Sequence, residues 1–122
     1  VEEEGVNEKM AEFINPIAIL GEQMTKFTTE IGFKGMQNPD EVGAAAVDYL
    51  RVAGHLVFGY LFARMAQVSL RAIANGSTDP FYTAKLQTAR FYFAKLFPET
   101  VLLMRTARAG SKVLMDTDAA LA

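Results

Sequence analysis

Cysteine and tryptophan are both missing from this chain of 122 residues, and His55 is its one histidine. Without cysteine there is no disulfide scaffold, no thiolate zinc site and no thiol nucleophile. With a lone imidazole, a metal site built on paired histidines is excluded as well. No segment alternates polar and apolar residues with period two, and turn residues are too sparse for a sheet. Neither a GxxxxGK[ST] loop nor a GxGxxG turn occurs, and no Gly-x-Ser-x-Gly elbow is present. The chain opens on Val1 and three glutamates, with no basic segment ahead of an apolar one, so the start reads as that of a cut fragment.

What is present suits one domain. Hydrophobic residues make up 51% of the chain, enough to fill a core. The net charge is −2, but the charges are segregated. Residues 1–50 hold ten acids against three bases, and residues 51–112 hold nine bases against Asp79 and Glu99. The favoured reading is that the acidic half lies against the basic half within one bundle. The sharper one is a basic face for phosphates or for an acidic partner.

Helical spacing dominates. Val6, Met10, Phe13, Ile17, Leu20, Met24, Phe27 and Ile31 step by four and three, a heptad-like seam. It passes Pro16 without losing phase, which predicts one helix over 6–33, kinked at Pro16 and ended by Gly32 and Gly35. Such a seam serves a homodimer or inward packing equally well. Asn38-Pro39-Asp40-Glu41 predicts the start of a second helix over 39–74, stopped by Asn75-Gly76. Its apolar run Val52–Ala63 is too short to span a bilayer, which needs about 20 residues, so it is expected as a buried central helix. Gly43, Gly54 and Gly59 are expected to admit a neighbouring helix. Asp79 should cap a third helix over 80–97, with Tyr82, Leu86, Ala89, Phe93 and Leu96 facing inward. Aromatics on its other faces suggest a second neighbour or something outside the chain. Pro98-Glu99 opens a fourth helix over 98–116 with Val101, Met104, Ala107, Ser111 and Leu114 in its stripe. The fold class is an all-α bundle of about four helices.

Asp48, Arg51 and His55 share one helical face. They could relay protons, but a structural polar ladder is the favoured reading. No catalytic or metal-ligating set is identified: Glu-x-x-His pairs are missing, and acids are scarce between Glu41 and Glu99. Lys85, Arg90 and Lys95 interleave with aromatics, a mixture that can bind single-stranded nucleic acid, yet the helical spacing favours packing and no nucleic acid is expected.

Several motifs fall in order along the second half: Asn38-Pro39-Asp40-Glu41, Tyr49–His55, Phe81-Tyr82, Ala84-Lys85-Leu86, Thr88–Tyr92, Leu96-Phe97-Pro98-Glu99, Ala109-Gly110 and Leu114-Met115. In these the chain resembles, over roughly 38–118, the C-terminal extension of large bacterial acyl-CoA dehydrogenases, the 3-methylmercaptopropionyl-CoA dehydrogenase-like group. The resemblance implies a parent flavoenzyme, cytoplasmic and FAD-dependent, that oxidises an acyl-CoA to the 2,3-enoyl-CoA. Its catalytic glutamate and flavin site would lie upstream, so no FAD is expected on this chain itself. The partners implied are the catalytic body and further copies of the protein, with no membrane span. Lys85, Arg90, Lys95, Arg105 and Arg108 are candidate contacts to an interface or to coenzyme A phosphates. Two other readings stand beside this one: a free-standing helical module with an apolar ligand near Met24, Phe58, Tyr60 or Phe93, and a weak enzyme using the Asp48–His55 face.

Overall fold

The computed structural model describes residues 2–115. Helix α1 spans Glu2–Gln37, α2 spans Asp40–Ala74 and α3 spans Pro80–Phe91. A π-helical turn, Tyr92–Leu96, follows directly, then α4 over Glu99–Ala107 and a short α5 over Lys112–Met115. No strand occurs among the described residues. The bundle is all-α: two long helices form a hairpin, and a third, bent run of α3, π turn and α4 lies across it. α2 is central, packed against α1, α3 and α4.

α1 is continuous through Pro16, and its seam stays in phase on either side. Six of the eight seam residues, Val6, Met10, Phe13, Leu20, Met24 and Phe27, are buried, so the seam is spent inside the chain. The helix does not stop at Gly32 or Gly35 but runs on to Gln37. Gly35 is there for clearance: a Cβ on it would lie 2.5 Å from Val42 Cγ2 across the hairpin. At the turn, Asp40 N–H donates to Asn38 Oδ1 at 3.1 Å, so Asn38 caps α2 from one residue further out than expected. Asp79 caps α3 as its type predicts, accepting from Phe81 N–H at 3.0 Å.

Two apolar clusters build the core. One joins Leu20, Met24, Phe27, Val52, Tyr92, Phe97, Leu103 and Met104. The other joins Val6, Met10, Phe13, Ala66, Leu70, Leu86 and Ala89, and Phe62 and Phe93 touch both. The π turn corrects two inward stripes. Phe97 N–H donates to the Tyr92 carbonyl at 2.9 Å, five residues back. In an α-helix, residues five apart point about 140° away from each other; the wider turn brings both Tyr92 and Phe97 into the core. Leu96, expected inward, is exposed, and after the turn Thr100 and Leu103 are buried while Val101 faces out. α4 ends at Ala107 rather than near 116, because Gly110 takes a positive φ of 83° and starts a new turn.

α2 is the central helix but not a buried one. Only its inner side is covered; Val47, Leu50, Val57, Phe58, Leu61 and Val68 on the other side are all more than half exposed. By length and composition α2 is long and apolar enough to cross a membrane, more so than its twelve-residue apolar run suggests, although its inner side packs on three other helices. Of its three glycines, only Gly59 admits neighbours, with Phe97 Cε2 3.1 Å and Ile17 Cγ1 3.4 Å from where a Cβ would sit. Gly43 and Gly54 face open space.

Candidate functional site

The polar face of α2 meets the bent third run rung by rung. Thr106 Oγ1 on α4 donates to Asp48 Oδ2 at 2.9 Å. Arg51 Nη2 lies 3.1 Å from Glu99 Oε1 at the start of α4. His55 Nδ1 lies 2.9 Å from the Tyr92 hydroxyl on the π turn. The helical spacing that sets Asp48, Arg51 and His55 on one face therefore builds a ladder between α2 and the bent third run, as the sequence favours.

The third rung is the most constrained. Tyr92 O–H donates to the His55 carbonyl at 3.0 Å, so its proton is committed there. His55 Nδ1 must then carry the hydrogen that points at the Tyr92 oxygen, an inference from the bonding pattern. His55 Nε2 is left facing Glu99 Oε1 at 3.8 Å. Tyr92 stacks on Phe62 with centroids 4.5 Å apart and meets Phe93 and Phe97 edge-on. Burial among these rings, with the Glu99 carboxylate nearby, pushes the phenol up to about 12, so it stays protonated at ordinary pH. Tyr92 therefore serves as a tie that holds the π turn to the His55 backbone.

The five basic candidates do not converge. Arg90 Nε donates to Glu12 Oε1 at 2.8 Å and lies over Phe13. Arg108 Nε donates to Glu30 Oε2 at 3.5 Å and lies over the Phe27 ring, 5.3 Å from its centroid. Glu12 and Glu30 are 18 residues apart on one helix, a span of about 27 Å. Lys85 sits over the Phe81 ring, while Lys95 and Arg105 are exposed, Arg105 lining a shallow depression beside Arg108. These pairs carry the acidic-against-basic packing of the two halves, though each is solvent-exposed and contributes about 0–1 kcal/mol.

Sequence reasoning missed one long-range tie. Ser111 Oγ donates to Glu41 Oε1 at 2.6 Å and Ser111 N–H donates to the same carboxylate at 3.3 Å, closing the α4–α5 turn onto the start of α2. These bonds, with Lys34 nearby, hold the Glu41 carboxyl below its ordinary value. Seventy residues separate the two, and neither type signals the other. Among the described residues no three His, Asp or Glu side chains gather where they could hold a metal ion.

An open apolar groove of about 510 Å³ lies between α1 and α2, lined by residues such as Ile31, Val42, Ala45, Tyr49 and Leu50. It contains none of the residues expected around an apolar ligand: Met24 is in the core, Phe58 and Tyr60 are exposed, and Phe93 packs between the two core clusters. A search of curated proteins returns no match to the chain. The family described as acetyl-CoA dehydrogenase C-terminal like, by contrast, matches residues 1–118. Nearly the whole chain, including both long helices and every rung of the ladder, thus falls within one family, and the chain belongs to the acetyl-CoA dehydrogenase C-terminal-like domains.

Proposed function

We propose that this chain is the C-terminal helical packing and oligomerisation domain of a cytoplasmic, FAD-dependent acyl-CoA dehydrogenase. The ordered motifs from Asn38 to Met115 favour the 3-methylmercaptopropionyl-CoA dehydrogenase-like group within that family. The parent reaction would convert an acyl-CoA to its 2,3-enoyl-CoA on a catalytic body outside this chain. The observation that carries the packing role is the bare apolar side of α2, because large exposed apolar patches mark interaction surfaces.

Among the described residues, the positive-φ turn at Gly110 is flanked by basic side chains but is poorly suited to a flavin pyrophosphate. A pyrophosphate needs backbone N–H groups and positive charge together. The positive-φ turn at Gly110 lies near Arg108 and Lys112, but Glu41 Oε2 stands 3.3 Å from where a Gly110 side chain would sit. That carboxylate opposes an incoming phosphate.

The test is the full-length parent with and without residues 1–122. Loss of the oligomer with flavin content unchanged supports the packing role; loss of flavin, or an unchanged oligomer, overturns it. The groove between α1 and α2 favours a second reading, an apolar ligand site, which saturable quenching of Tyr49 fluorescence by a long-chain acyl group would support.

A further inference from the structure

The groove between α1 and α2 opens where α2 presents small residues, Ala46 and Ala53, beside Ile31 of α1 and Leu50. Its volume of about 510 Å³ falls in the range of small-molecule sites, about 300–1,000 Å³. Six of the eight described residues that line it are apolar and none of them carries a charge. Such walls suit an alkyl chain, since each methylene buried on them strengthens binding by roughly fourfold.

The polar end of the groove decides what the head of such a molecule can be. Thr28 and Tyr49 supply the two hydroxyls of the lining, 2.8 Å apart. The Thr28 O–H donates to the Met24 carbonyl, four residues back, at 2.7 Å. A hydroxyl has one proton, so the bond between the two is donated by Tyr49 and accepted by Thr28. Both protons are then spent inside the protein, and what Tyr49 has left to offer is a lone pair. The neighbouring threonines of α1 are spent in the same way, Thr25 on the Gly21 carbonyl and Thr29 on the Thr25 carbonyl. A carboxylate or phosphate head brings only lone pairs and negative charge to this place, with no cation in the lining to offset them. A head that donates a hydrogen bond finds its complement.

We propose that this groove binds an uncharged long-chain alcohol, its chain along Ala46 and Ala53 and its O–H donating to the Tyr49 oxygen. The inference rests on the apolar-ligand reading of the groove and names the class of ligand.

Three eight-carbon compounds test it by calorimetry and amide NMR on the chain: 1-octanol, its methyl ether and octanoate. 1-Octanol is expected to saturate one site and to shift the amide signals of Ala46 and Ala53. The ether keeps the chain but has no proton to donate, and octanoate adds a negative charge. Both are expected to bind about three- to tenfold more weakly. Tyr49→Phe keeps the stack on Phe27 and leaves Thr28 bonded to Met24, so the fold is retained. It should bring 1-octanol down to the level of the ether. Ala46→Leu fills the groove from an exposed position and should abolish binding with the helical circular dichroism intact.

Equal binding of 1-octanol and the ether, unmoved by Tyr49→Phe, overturns the alcohol proposal while the apolar-ligand reading stands. Tighter binding of octanoate does the same. Binding of none of the three, or binding that Ala46→Leu leaves intact, overturns both. Binding to the free chain that is lost in the full-length parent means that a segment of the catalytic body fills the groove, and this too overturns both.

Discussion

The seam of α1 and the outer stripe of α2 repeat with the same three-and-four spacing, yet the first is closed within the chain and the second is bare. Val6, Met10, Phe13, Leu20, Met24 and Phe27 are buried on α1, whereas Val47, Leu50, Val57 and Leu61 are more than half exposed on α2. α1 has one apolar side, so once it faces α2 its period is satisfied. α2 has two. Its inner side already takes α1, α3 and α4, and among the described residues no further long helix lies on the other. A period therefore shows that a face wants covering, and the neighbours decide whether the cover belongs to the same molecule.

The largest test of this contrast replaces Phe27, fully buried in the α1 seam. Phe27→Ala should destabilise the chain by about 3–5 kcal/mol in urea unfolding. Leu50→Ala, on the bare side of α2, should leave unfolding within about 0.5 kcal/mol of the native chain. An equal loss at both sites would break the comparison.

Tyr92→Phe sharpens it at the tie between α2 and the π turn. Removing the hydroxyl leaves the His55 Nδ1–H without its partner, while the His55 carbonyl keeps the bond of its own helix, a cost of about 1–3 kcal/mol. Its pH signature has a definite sign. The phenol is raised from 10 to about 12, so the protonated form is favoured by folding. That stability is fully present below pH 10 and is lost as pH rises through 12. Alkaline unfolding curves should show the loss in the native chain and not in Tyr92→Phe.

The glycines give a smaller, paired test. Gly54→Ala enters open space and should stabilise the chain by about 0.5–1 kcal/mol through helix propensity. Gly59→Ala brings a methyl to 3.1 Å from Phe97, and the crowding should cancel or reverse that gain, as read by thermal unfolding. The smallest effect is at Glu41, whose carboxyl lies below its ordinary value because it accepts from Ser111. Its contribution is present above the unfolded value and is lost as pH falls through the folded one. Glu41→Gln should flatten that part of the acid unfolding curve.

Much of the fold was legible because its signals are local. The turns at Asn38-Pro39 and Asn75-Gly76, the Asp79 cap, the phase of the α1 seam and the shared face of Asp48, Arg51 and His55 depend only on nearby residues. Family membership was legible in the motif order from Asn38 to Met115. The partners of the polar face were not, since Thr106, Glu99 and Tyr92 reach it only through tertiary packing. Nor was the bare side of α2, because an all-round apolar helix carries no mark of which side its own chain will cover. The π turn was hidden for a different reason: Tyr92–Leu96 has ordinary helix formers, and packing of Tyr92 and Phe97 selects the wider turn over the propensity of the segment.

That turn also sets how tolerant the molecule is to changes in length. Each residue in a helix rotates everything after it by about 100°. Side-chain replacements in Tyr92–Leu96 leave that rotation alone, but deleting one residue would swing Glu99, Leu103 and Thr106 away from α2 together. The orientation of α4 is thus held as a count of residues and can be changed only in whole steps.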